Sequence, residues 1–238
     1  MITGGKRIGR VVARELAQRG MNLVLSYRGS KEEADLTVGD VEAVGRKATT
    51  VSGDVSKPAD CAAVLAHAID TFGRVDVLVN MASIYRSKPL EDVTVDYWMT
   101  DLDVNLRSAF LCAQAAIPHM KAAAGGRIVN FADWLARSGR PHYTGFTPYY
   151  VAKAGVVALT ESLALEVARD NILVNAIAPG PIVPPPDMSA EEVEEVAKAT
   201  PVGHWGGEAE IAKTVALLCQ TDFITGETIR VDGGRHLA

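Results

Sequence analysis

The chain is short of almost everything that would mark a secreted, metal-bound or membrane-spanning protein. Its 238 residues hold three cysteines, Cys61, Cys112 and Cys219, scattered along the sequence. An odd number without metal-ligand spacing points to free thiols in a reducing compartment rather than to a disulfide framework. His67, His119, His204 and His236 show no paired spacing with one another or with acids, so no metal site is expected. No apolar run approaches the ~20 residues needed to cross a bilayer, and nothing at the start resembles a secretory signal. Basic excess is missing as well: the formal net charge is −5, which argues against a nucleic-acid partner. The expectation is a soluble, cytoplasmic protein with no membrane association.

What is present is a core. At 48% hydrophobic, the chain can bury one large core, and a single domain over residues 1–238 is expected. Ile8, Val11, Val12 and Leu16 recur at helical spacing, Gly20 follows as a stop, and Met21–Tyr27 reads as a buried strand. Ser30-Lys31-Glu32-Glu33 has the form of a capping box opening a helix to about Val44, and Lys47–Val51 reads as the next strand. Pro58 falls in the first turn of a helix that ends near Gly73. Asp76–Asn80 and Arg127–Phe131 are continuous apolar runs suited to central parallel strands covered on both faces. A long helical stretch from about Val95 to Ala123 lies between them. A helix from about Tyr149 to Arg169 precedes the strand Leu173–Ile177, and Thr228–Val231 supplies a last strand. This alternation predicts an α/β fold, a doubly wound parallel sheet with helices on both faces and its ligand site beyond the carboxyl ends of the strands. Only Met1 and Ile2 precede the glycine turn, although a central first strand normally holds ~5 residues. A truncated start is therefore expected, or else a weakened sheet centre.

Tyr149 and Lys153 stand four residues apart, so one helical turn aims phenol and ammonium at the same spot. The ammonium is expected to ease ionisation of the phenol and make Tyr149 a proton donor near neutral pH, provided a cofactor supplies hydride. The turn Thr3-Gly4-Gly5-Lys6-Arg7-Ile8-Gly9 has the glycines that let a backbone approach a pyrophosphate at a helix N-terminus, though such turns are as often structural. After the second strand the chain reads Ser26-Tyr27-Arg28-Gly29-Ser30, without the acid that would hold a ribose 2′-hydroxyl. Arg28 and Ser30, with Lys6 or Arg7, make a cationic pocket suited to a 2′-phosphate, so NADPH is the expected cofactor. The alternative is an ordinary solvated arginine.

Along nearly its whole length the chain resembles the short-chain dehydrogenase/reductase family. The resemblance rests on the Thr3-Gly4 turn, Asp54-Val55, Asn80-Met81-Ala82-Ser83, Asn105, the Tyr149/Lys153 pair, Pro179-Gly180 and the closing Val231-Asp232-Gly233-Gly234. It implies a Rossmann-type sheet, Asp54 and Val55 flanking adenine, Asn80 and Ala82 at the cofactor ribose, and Asn105 fixing a water in a proton relay. Relatives are commonly tetramers, which implies a homotetramer packed through the helices near 95–123 and 149–169. The segment 180–206, beginning with a proline-rich run, reads as a substrate loop.

Two positions depart from the family pattern. Arg7 stands where most relatives have glycine, in a turn of shortened spacing, and Asp133 stands where a catalytic serine is expected. An ionised aspartate only accepts hydrogen bonds and repels a developing oxyanion, so Asp133 suits a nitrogen heterocycle that offers N–H groups. Asp133 with Tyr149, Lys6–Gly9, Tyr27–Ser30, Ala82–Tyr85 and Asp187-Met188 resemble pteridine reductases and their dihydrofolate- or dihydromonapterin-reducing relatives. The implied roles are Tyr85 stacking on a pterin ring, Ser83 and Arg7 touching it, Asp133 orienting it, Tyr149 donating the proton, Lys153 holding the nicotinamide ribose, and Asn105 positioning water. Ketone reduction on a 3-oxoacyl thioester, sugar or steroid, with Asp133 incidental, is the alternative; a non-catalytic NADPH sensor is a further one. The connection from Ala136 to Pro148 is longer than family spacing, and its Arg137, Arg140 and His142 read as solvated loop residues bordering the site.

Overall fold

The computed structural model describes residues 1–4, 6–138 and 143–238. Gly5, Arg140 and His142 therefore lie outside the described residues. Seven parallel strands run in the order β3-β2-β1-β4-β5-β6-β7. They are β1 (Ile2–Thr3), β2 (Leu23–Tyr27), β3 (Ala48–Ser52), β4 (Val77–Asn80), β5 (Gly126–Phe131), β6 (Ile172–Pro179) and β7 (Thr228–Val231). The order reverses between β1 and β4, which opens a crevice at their carboxyl ends.

Neighbouring residues on a strand face opposite sides, so each central strand feeds two cores. Leu78, Ile128 and Val174 pack with α3 (Pro58–Phe72), α5 (Ser108–Ala122) and α7 (Thr147–Val167). Val79, Val129 and Ile177 pack with α1 (Ile8–Gln18), α2 (Lys31–Ala43) and α9 (Glu208–Gln220) on the other side. Helix α9 has no counterpart in the sequence reading, although Ile211, Val215 and Leu218 recur at helical spacing and are buried. Among the described residues no helix is long and apolar enough to cross a membrane.

Two local expectations are corrected. The stretch 95–123 is not one regular helix: α4 (Val95–Leu102) meets α5 through a π-helical turn, Asp103–Arg107, that carries Asn105. The Ser30 capping box does not close, because Ser30 makes no side-chain cap bond and the Glu33 carboxylate lies 3.2 Å from the Lys6 ammonium. The same pattern does close at Ser189 and Glu192, opening α8 (Ala190–Lys198) within the 180–206 loop. The two-residue β1 is tied across the sheet centre by its Thr3 hydroxyl, which accepts from the Met81 and Ala82 amides at 3.1 and 3.3 Å.

Candidate active site

The crevice at the β1/β4 reversal is built by close backbone approach. Gly4 has φ +74°, and a Cβ there would stand 2.7 Å from the Ala82 Cα, so only glycine keeps this turn against the end of β4. A space of about 340 Å³ opens beside it, bordered by Lys6, Tyr27, Arg28, Ser30, Asp54 and Val55 along one wall and Ala82 and Ser83 along the other. Arg28 is only loosely engaged, 3.8 Å from the Asp54 carboxylate and 63% exposed, and so remains available to an anion. Thr3, Ile8 and Gly9 frame the turn from the end of β1 and the start of α1.

Arg7 is not among the residues that line this space. Its guanidinium Nη2 donates to the Pro184 carbonyl at 3.2 Å and ties the glycine turn to the proline-rich loop. The backbone at Arg7 has φ +49° and ψ −103°, a conformation that glycine adopts most readily. Asn80 is likewise turned inward: its Nδ2 donates to Asn130 Oδ1 at 2.9 Å, behind the crevice wall. Asn105 Oδ1 accepts from the Ser83 hydroxyl at 2.6 Å and the Ile84 amide at 3.1 Å. Its Nδ2 is buried without a partner among the described residues, which leaves a donor for a bound water.

Past the crevice, the end of β5 delivers Asp133 to the first turns of α7. The Tyr149 hydroxyl donates to Asp133 Oδ2 at 2.9 Å, and the Leu135 amide donates to Oδ1 at 2.9 Å. The Lys153 ammonium donates to the Phe131 carbonyl at 2.7 Å and stands 5.7 Å from the centre of the Tyr149 ring. Burial is the largest influence on all three groups. It raises the Asp133 carboxyl above the usual carboxylate range, against the opposing hydrogen bonds from Leu135 and Tyr149 and the charge of Lys153. It lowers Lys153 to about 8, with Asp133 pulling the other way. Burial and then Asp133 raise the Tyr149 phenol well above its ordinary value. The direction is opposite to the expected one: burial leads, the aspartate adds to it, and the Lys153 ammonium is engaged with the Phe131 carbonyl.

Tyr85 stacks on Phe146 with ring centres 4.6 Å apart and meets Tyr149 edge-on at 4.9 Å. The Lys88 amide bonds to the Gly145 carbonyl at 2.8 Å, so the loop after β4 and the connection before α7 are joined at the mouth of the site.

Comparison with known proteins bears on the family and the fold. A family model described as enoyl-(acyl carrier protein) reductase covers residues 4–236. The chain is 37% identical to the 3-oxoacyl-(acyl-carrier-protein) reductase FabG of Staphylococcus aureus, over all of this chain and 97% of that protein. The chain belongs to the short-chain dehydrogenase/reductase family. A short-chain dehydrogenase/reductase of Serratia marcescens, solved as a double mutant, superposes with a TM-score of 0.91 at 30% identity, covering 99% of this chain and 96% of that one. A blue fluorescent protein from a metagenomic library, solved in complex with NADPH, does so with a TM-score of 0.89 at 34% identity, covering 98% and 95%.

Within this short-chain dehydrogenase/reductase, Pro179-Gly180 and Asp232 belong to one packing unit. A Cβ on Gly180 would meet the Asp232 Cβ at 2.5 Å, so the glycine after β6 and the turn after β7 require each other. The sequence reading misses the short helix α6 (Trp134–Ser138) and the apolar lining that it and the start of α7 supply beside Asp133. It also misses Asp101, a fully buried carboxylate held by Arg86 at 2.6 Å. The lengthened Asp133–Tyr149 spacing was the one visible signal of that lining.

Proposed function

We propose that this chain is an NADPH-dependent reductase that adds hydride and a proton across the C=O bond of a ketone. The observation that carries the reading is the 2.9 Å hydrogen bond between Tyr149 and Asp133 beside the cofactor crevice. NADPH, when bound, supplies the hydride. The glycine turn at Gly4 and the N-terminus of α1 would receive its pyrophosphate, and Arg28 with Ser30 its 2′-phosphate. Lys153 would hold the nicotinamide ribose.

Burial makes Asp133 fit a ketone better than its ordinary acidity suggests. In its neutral form the carboxyl would donate across the same 2.9 Å contact to the Tyr149 oxygen, the reverse of the direction seen here, and so free the phenol proton for the substrate. Tyr149 would pass its proton to the substrate oxygen while the Asp133 proton moves to the Tyr149 oxygen, leaving the carboxylate facing Lys153. No uncompensated charge then opposes the oxyanion. The relatives' names support the same substrate class: six FabG proteins, 35–37% identical over the full chain, are 3-oxoacyl reductases.

One observation favours a second reading, reduction of a pterin-like C=N bond. Should Asp133 stay ionised, both its oxygens accept, and a heterocycle with adjacent N–H groups would pair with it while Tyr85 stacks on the ring. NADPH consumption with a 3-oxoacyl thioester, a small ketone, dihydrobiopterin and dihydrofolate, measured side by side, tests both. Turnover of the ketones and not the pteridines supports the first reading, the converse supports the second, and no turnover of any overturns both. Self-association through the α5 and α7 faces, where Phe110, Val151 and Leu165 are exposed, belongs to the same proposal and is read by sedimentation.

A further inference from the structure

The connection that is longer than family spacing does more than join Asp133 to Tyr149. Leu135 and Ala136 of α6, with Tyr143, Phe146 and Tyr150 around the start of α7, enclose a cavity of about 190 Å³ that has Asp133 and Tyr149 in its wall. Its lining is mainly apolar and aromatic, and Phe146 is held in place from outside by the Tyr85 ring at 4.6 Å. Among the described residues the cavity shares no lining with the cofactor crevice and is distinct from it.

We infer that this cavity is a specificity subsite for a flat, uncharged ring carried directly on the reacting carbon, with Phe146 and Ala136 as its size-determining residues. The inference rests on the reductase reading above for its reacting carbon, and on three observations for its occupant. Volume is the first: an apolar cavity of about 150 Å³ is enough to take benzene, so this one, of about 190 Å³, has room for a single ring. The second is continuity, since a group bonded to the carbon whose oxygen meets Tyr149 has this cavity beside it. Chemistry is the third: the described walls are mainly apolar and aromatic, with Tyr143, Phe146 and Tyr150 among them, so a flat ring gains apolar and aromatic contact there. The substrate class it selects is an aryl ketone, or a ring-bearing imine of the same size.

The test compares wild type with Ala136→Phe, which fills the cavity, and Phe146→Ala, which removes its outer wall. In steady state with NADPH, wild type is expected to use acetophenone over acetone by roughly a hundredfold in kcat/KM, the discrimination an apolar pocket of this kind yields. Ala136→Phe is expected to reduce that ratio at least about tenfold, and Phe146→Ala to move it toward larger ring substituents. Binding of the inert probes benzamide and acetamide, followed by ligand-observed NMR in the presence of NADP⁺, gives a readout that needs no turnover. Wild type should bind benzamide in preference to acetamide and Ala136→Phe should lose that preference, while NADPH fluorescence confirms that each variant is folded. Equal binding of the two amides by wild type overturns the subsite. So does unchanged benzamide binding in Ala136→Phe. Benzamide selectivity without any ketone turnover would keep the subsite and remove the reductase reading.

Discussion

Tyr149 and Asp133 share one hydrogen bond, 2.9 Å long, in which the phenol is the donor and the carboxyl oxygen the acceptor. Burial raises the cost of charging both groups; the aspartate raises the phenol further, whereas the phenol's bond partly offsets the effect of burial on the aspartate. The pair is therefore set to hold protons, and most of what the site can do follows from where those protons go.

Asp133→Ser tests that directly. A serine keeps a hydroxyl donor for a ketone and removes the acceptor that an N–H heterocycle needs. Rates of NADPH consumption are expected to shift in favour of ketone over dihydropteridine by at least about tenfold. The proposed ketone reduction uses Asp133 as the neutral acid, and burial raises its pKa, so wild-type activity is expected to fall as pH rises through that raised value. The serine variant should lack this limb of the pH profile. A limb that survives in Asp133→Ser assigns it to another group.

Lys153→Met separates catalysis from stability. Burial lowers the folded-state pKa of Lys153 to about 8 from 10.5, so its charge is tolerated less in the folded protein than in the unfolded one. The depressed value means that stability from this group is complete above pH 10.5 and is lost as pH falls through 8. The methionine variant should be more stable than wild type at pH 7, by at most on the order of 3 kcal/mol, with the gain shrinking as pH rises from about 8 to 10.5. Loss of the bond to the Phe131 carbonyl reduces that figure. Denaturant melts at pH 7 and 10 measure it, and turnover should fall by roughly a hundredfold or more in the same variant.

Arg28→Glu is expected to reverse cofactor choice. The guanidinium is exposed and loosely held, and a carboxylate in its place repels a 2′-phosphate while accepting from a ribose hydroxyl. The KM for NADPH should rise by about tenfold or more, with that for NADH unchanged or lower. Unaltered NADPH affinity would place the 2′-phosphate elsewhere.

Arg7→Gly removes a backbone conformation, φ +49°, that a side chain adopts at a cost. The gain is about 1 kcal/mol, less whatever the Pro184 contact contributes, and corresponds to roughly 2–4 °C in Tm for a protein of this size. A lower Tm would show that the tie to the proline-rich loop outweighs the strain.

Local pattern alone was enough for the sheet and for most of its helices. Continuous apolar runs, Pro58 in a first turn and a helix end near Gly73 each depend on residues within a few positions of one another, and these expectations hold. Side-chain partners were decided at long range. Ser30-x-x-Glu33 and Ser189-x-x-Glu192 are the same local signal, yet only the second closes, because Lys6 from the glycine turn takes Glu33. The Tyr149 phenol likewise finds Asp133, 16 residues away, while Lys153 four residues away is drawn to the Phe131 carbonyl. The cavity beside them was visible in the sequence only as extra length. Sequence determined this protein's family and its doubly wound parallel fold; the order of the strands and the packing of distant elements decided which charges meet, which protons are held, and what space lies next to them, since electrostatics and burial depend on distance in space and not on separation along the chain.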